Sequence, residues 1–150
     1  MTLQEALDQA DELKPNMMSR RLKIKYLTEI EQLIWNEIIL KHYPEGYVPP
    51  RPYYPDLDPL NMGPAYPEPT PDMTPEPAYT EQTDPGTVLQ IPDPYSEVYV
   101  FWLMSKIDIQ NQEDGRYNID RAHFENAYQT MSDWYNRTHM PKSYNREIRI

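Results

Sequence analysis

Val98-Tyr99-Val100-Phe101-Trp102-Leu103-Met104 sets seven apolar side chains in unbroken succession. Wound into a helix, this run is apolar on every face, and a helix without a polar face is normally buried on both sides. Asp93 or Pro94 opens that helix, which the pattern predicts from Tyr95 to about Asn111. Gly115 marks a turn, and Tyr117, Phe124, Ala127, Tyr128, Met131, Trp134 and Tyr135 recur at helical spacing up to Thr138. Pro141 stops this fourth helix, and the two should form an antiparallel hairpin.

Upstream of the hairpin, Thr87-Val88-Leu89-Gln90-Ile91 is β-prone and flanked by Pro85-Gly86 and Pro92, so it reads as one short strand. A single strand needs a partner, which another chain could supply. At the start of the chain, Thr2-Leu3-Gln4-Glu5 has the form of a capping box. Leu3, Ala6, Leu7, Ala10 and Leu13 continue it as a short amphipathic helix closed by Lys14-Pro15. Ser19 is positioned to cap a second helix to about Lys41, striped by Leu22, Tyr26, Leu27, Ile30, Leu33, Ile34 and Ile38.

Between the helical blocks the composition changes. Fifteen of the 17 prolines lie between Pro44 and Pro94, with nine acidic residues and a single base, Arg51. That stretch carries −8 of the net charge of −10. Prolines at this density remove amide donors and forbid helix continuation, so an extended, polyproline-like or disordered arm is expected. The reading is a 150-residue, all-α chain of one domain, with about four helices, a long Pro-rich insert and one short strand. Its parts are N-terminal helices (1–42), an acidic arm (43–92), the hairpin (93–140) and a C-terminal tail (141–150).

Few chemistries are compatible with this composition. The chain has no Cys, which excludes disulfides, thiolate metal sites and a cysteine nucleophile. Four glycines and no phosphate-loop or dinucleotide fingerprint argue against nucleotide binding. His42, His123 and His139 have no second ligand at metal spacing, and pairs such as Asp8/Glu12 and Glu113/Asp114 read as solvated helix faces. Neither a catalytic set nor a cofactor or metal site is expected. No apolar run spans a membrane, and the acidic, amphipathic start is unlike a signal peptide. A strongly acidic chain is also poorly suited to gripping nucleic-acid phosphates.

Interaction features remain. Arg20, Arg21, Lys23 and Lys25 stand where the helix dipole disfavours positive charge. They are either ordinary charges offset by Glu29 and Glu31 or a dock for an acidic partner. The tail, with Arg146, Ile148, Arg149 and Ile150, alternates like a strand edge made to be received elsewhere. Thirteen Tyr and three Trp serve either a core or an interface. The arm tyrosines Tyr47, Tyr53, Tyr54, Tyr66 and Tyr79 have no local helix to pack on, which leaves disorder or docking on a neighbouring surface.

The run Ile91 to Asp108 (Ile-Pro-Asp-Pro-Tyr-Ser-Glu-Val-Tyr-Val-Phe-Trp-Leu-Met-Ser-Lys-Ile-Asp), Arg116-Tyr117-Asn118, Phe124-Glu125-Asn126 and Asp133-Trp134-Tyr135-Asn136-Arg137 resembles the helical hairpin of tailed-bacteriophage head-tail connector (adaptor) proteins. Lys23-Ile24-Lys25-Tyr26-Leu27-Thr28-Glu29-Ile30-Glu31 with Ile34 and Glu37-Ile38 is similar to the helix that precedes it. The likeness covers the first 42 residues loosely and residues 87 to 140 more closely; the Pro-rich insert, much longer than such connectors need, departs from it.

The resemblance implies a non-enzymatic virion structural protein of the phage neck, assembled in the bacterial cytoplasm. It would form a closed homo-oligomeric ring of about twelve copies between the portal protein and a stopper or tail-terminator protein. Double-stranded DNA would pass through the ring without specific binding. Tyr95, Tyr99, Phe101, Trp102, Trp134 and Tyr135 would pack the ring, and the termini would dock its partners. The alternative is a monomeric regulatory or host-interaction module, with Pro49-Pro50-Arg51-Pro52 as part of a polyproline ligand.

Overall fold

The computed structural model describes residues 1–45 and 75–142. Four α-helices make the body: α1 (Leu3–Leu13), α2 (Arg20–Glu37), α3 (Glu97–Gln110) and α4 (Asp114–Thr138), with a 3₁₀ turn at Ile39–Lys41 after α2. The fold is all-α, and α3 and α4 form the expected antiparallel hairpin.

Both N-terminal caps lie where the sequence puts them. Thr2 Oγ1 accepts from the Glu5 amide at 3.2 Å, and the Glu5 carboxylate accepts from the Thr2 amide at 2.8 Å, a complete capping box. The Ser19 hydroxyl accepts from the Leu22 amide at 3.3 Å and starts α2. Each cap satisfies amides that a helix end otherwise leaves without partners.

α3 is the centre of the body. α1, α2 and α4 all pack on it. Val98, Tyr99, Leu103 and Ile107 are buried against Leu3, Leu7, Leu27, Ile30, Ile34 and Met131 of the other helices. Each fully buried aliphatic side chain of this kind contributes roughly 1.5–3 kcal/mol relative to exposure. The absence of a polar face on α3 is therefore explained largely within one chain, with Phe101, Trp102 and Met104 left half-buried at its margin.

The expected strand shrinks to a single antiparallel bridge, Thr2 with Val88. Its partner is the chain's own N-terminus: Leu89 donates to the Met1 carbonyl at 3.0 Å, and Leu3 donates to the Thr87 carbonyl at 2.8 Å. α1 begins at Leu3 and leaves too little extended chain for a longer ladder. The alternation within the segment survives, with Leu89 and Ile91 buried and Val88 exposed.

The turn between α3 and α4 also differs from expectation. It lies at Asn111–Glu113, where Gln112 takes a left-handed φ of 58°, and Gly115 falls in the first turn of α4. The Glu113 amide donates to the Asp108 carbonyl at 3.0 Å, which closes the turn before Gly115 is reached. At the far end of the hairpin, Tyr43 donates to the Met140 carbonyl at 2.7 Å and Lys142 to the Lys41 carbonyl at 2.8 Å. His42 and Pro141 bridge antiparallel, so the chain runs through the two segments in opposite directions.

Candidate interaction surfaces

The outer face of the hairpin carries two aromatic pairs. Tyr95, just before α3, stacks on Trp134 of α4 with ring centroids 4.7 Å apart and planes 18° apart. Phe101 stacks on His123 at 5.3 Å and 19°. Tyr95, Phe101 and Trp134 are half-buried and His123 is exposed. Tyr95, Phe101 and His123 line a groove of about 390 Å³ together with Glu97, Asn126 and Ala127. Tyr135, half-buried on the same helix, stacks on His139 at 3.8 Å. Burial outweighs the neighbouring groups and holds the His139 imidazole below its usual range.

Two residues assigned to ring packing work inside the protomer. Tyr99 has no exposed surface, and its hydroxyl accepts from the Ile91 amide at 3.0 Å. Burial, with the nearby Glu31 carboxylate, holds that hydroxyl protonated far above its ordinary range. It is a core residue and adds nothing to an outer surface. Trp102 is half-buried and ties α3 to α2, its indole N–H donating to the Tyr26 carbonyl at 2.9 Å. Its ring meets Phe124 at 5.0 Å and carries the Lys106 ammonium 4.5 Å from its centroid.

The basic group at the start of α2 divides. Lys23 turns inward, is buried, and pairs with Asp11 at 2.5 Å. Burial raises the Asp11 pKa, but bonds from Asn16 and Lys23 outweigh it and hold the carboxyl below its usual range. Arg20 donates to the Gln4 side chain at 2.7 Å. Arg21 and Lys25 are exposed and line a groove of about 980 Å³ between α2 and residues 79–82, with Glu29 and Glu81 on the same walls. Lys23 is thus withdrawn from any surface dock, and Arg21 and Lys25 stand among charges of both signs.

Tyr79 lies on its own chain. Its hydroxyl donates to Glu31 Oε2 at 2.7 Å, and its amide donates to Thr28 Oγ1 at 3.2 Å. Glu31, on α2, has no exposed surface and also accepts from the Gln90 side-chain amide at 2.9 Å. The remaining arm residues Tyr47, Tyr53, Tyr54 and Tyr66, and the tail residues Arg146, Ile148, Arg149 and Ile150, lie outside the described residues.

Sequence reading missed one buried charged cluster. Lys14, the C-cap of α1, places its ammonium 2.5 Å from Asp108 of α3 and 2.7 Å from Asp120 of α4. All three are buried. The partners are about a hundred residues apart in the chain, so local pattern alone could not find them. Among the described residues no three His, Cys, Asp or Glu side chains converge to hold a metal ion, and no helix is long and apolar enough to cross a membrane. Comparison with protein families, curated proteins and solved structures finds no match to this chain.

Proposed function

We propose that the chain is a virion structural protein, a head-to-tail adaptor that closes into a ring in the neck of a tailed phage. The observation that carries this reading is the outer face of the hairpin, where Tyr95–Trp134 and Phe101–His123 stand half-exposed around a shallow groove. Aromatic side chains concentrated on one rigid surface are characteristic of protein interfaces, because they bury area at small entropic cost. Set on one side of each copy, such a surface suits a heterologous, ring-closing contact with a different face of the next copy. The resemblance of residues 87 to 140 to connector hairpins supplies the place of the ring, between the portal protein and a stopper or tail-terminator protein.

The net charge of −10 is consistent with a conduit. Repeated around a ring, it opposes tight contact with DNA phosphates and lets the duplex slide. The role is geometric and needs no catalysis. Mixing the purified chain with portal rings of the same phage and imaging by negative-stain electron microscopy tests this reading. A new ring of density on the tail-facing side of the portal is expected; a portal without added density contradicts it.

A monomeric module that presents the Pro-rich arm to a host protein is the second reading. It rests on composition: 15 of the chain's 17 prolines lie between Pro44 and Pro94. It requires the chain to stay monomeric beside the portal.

A further inference from the structure

Trp102 holds two cations at its ring. The Lys106 ammonium lies 4.5 Å and the Arg121 guanidinium 5.7 Å from its centroid. Lys106 is also 5.4 Å from the Tyr26 ring, and Arg121 5.1 Å from that of Phe124. An aromatic ring positions a cation without neutralising it, so both charges stay available to an anion. Lys106 forms no ion pair among the described residues, in a chain whose acids outnumber its bases 24 to 14. Arg121 meets Glu125, exposed on its own helix, at 3.3 Å. Ile109, 53% exposed and seven residues after Trp102, extends the same stripe of α3.

The opposite side of the body is acidic. Lys106 and Asp108 are two residues apart on α3, about 200° around the helix, and Arg121 and His123 stand in the same relation on α4. Asp108 meets Lys14 at the end of α1, and Phe101, seven residues before Asp108 on the same stripe, meets His123. The cationic platform therefore lies on one side of the hairpin, and α1 and the Phe101–His123 groove on the other. α1 turns Leu3, Ala6, Leu7 and Ala10 inward and Asp8 and Glu12 outward, with Leu13 exposed beside them. Between Leu3 and Leu13 there is no basic residue, and Asp8 and Glu12, one turn apart, form no ion pair among the described residues.

Two unlike faces that point apart are what a heterologous contact between copies requires, and their opposite charges select each other. We infer that the outward acids of α1, Asp8 and Glu12, dock on the Lys106–Arg121 platform of the next copy and cover Leu13 and Ile109 at its margin. This deepens the ring reading and rests on it: the acidic face shares its side with the outer aromatic groove, and the platform is the different face that the next copy presents. Trp102 holds the two cations in place for that contact.

Exchanging the charges tests it. One variant carries Lys106→Glu with Arg121→Glu, the other Asp8→Lys with Glu12→Lys, and sedimentation velocity at low ionic strength follows the parent, each variant and their equal mixture. The parent should self-associate, each variant alone should do so about tenfold more weakly, and the mixture should recover the parent's association, because every contact between unlike variants is again complementary. Both variants remain net negative, so net charge cannot produce the recovery, which also shows that both chains fold. A parent that stays monomeric assigns the platform to an acidic surface of another protein and overturns the inference. Association untouched by either exchange, or lost and not recovered in the mixture, also overturns it. Portal rings formed by either variant alone remove this contact and leave the adaptor reading standing; recovery in a mixture that never joins the portal keeps the contact and removes the adaptor.

Discussion

The Lys14 ammonium lies 2.5 Å from Asp108 Oδ1 and 2.7 Å from Asp120 Oδ2, and joins the ends of three helices in a buried site. One cation between two carboxylates fixes where α1 ends relative to the α3–α4 turn. It also favours the negative C-terminal end of the α1 dipole. The hairpin is thereby anchored at the end opposite to the Tyr95–Trp134 pair.

Removing the cation leaves two carboxylates buried and opposed. Lys14→Met is expected to lose about 3–5 kcal/mol, the usual cost of breaking a buried pair from one side. Urea denaturation measures this. A loss below about 1 kcal/mol would show that the cluster does not anchor the turn.

The same cluster gives stability a pH dependence. Burial first, and then its bond with Asp120, pushes the Asp108 pKa up to about 6, against the pull of Lys14. Burial alone would also raise Asp120, but the bonds from Asp108 and Lys14 prevail and hold it below its usual range. Because Asp108 binds its proton more tightly when folded, its contribution is full below about 3.8 and is lost as pH rises through about 6. His139, held low by burial, acts in the opposite sense near neutral pH. The informative quantity is therefore the stability of the parent minus that of Asp108→Asn, which should grow as pH falls from 7 towards 4. Thermal denaturation of both proteins across that range checks it; a flat difference would remove Asp108 as the source.

Two aromatic substitutions should separate folding from assembly. Trp102→Ala removes the tie to Tyr26 and the packing on Phe124, and should cost the monomer about 2–4 kcal/mol. Phe101→Ser strips the outer groove, and should cost about 1 kcal/mol while abolishing rings on the portal. Denaturation midpoints and negative-stain images of each variant provide the two readings. Rings that persist with Phe101→Ser would exclude that face from the interface.

Gly115 sits in the first turn of α4 with open space where a side chain would begin. Gly115→Ala is expected to stabilise the chain by about 0.5 kcal/mol, since a helical glycine loses more backbone freedom on folding than alanine does. An unchanged or lower denaturation midpoint would contradict this.

Much of the fold was legible because its signals are local. The Thr2–Glu5 capping box, the Ser19 cap and the apolar run through α3 each lie within a few residues and are present as read. The turn was misplaced at Gly115 because Gln112 adopts the left-handed conformation that usually calls for glycine. The strand was overestimated because its partner was the two residues ahead of α1, which no pattern within 87–91 could indicate. Buried charge was the least legible. Lys23 reads as one of four surface bases until Asp11 is seen beside it, and Asp108 is an acid without a visible partner until Lys14 arrives from 94 residues away. Tyr99 and Phe101 are equivalent in the sequence pattern; only packing distinguishes the core residue from the outer one.

Electron cryomicroscopy of tailed phage particles whose genome encodes this chain tests the central claim most directly. The account predicts a ring of four-helix protomers between portal and tail, with the Tyr95–Trp134 and Phe101–His123 face of each copy against its neighbour. Particles with a complete neck from which this chain is absent would contradict it.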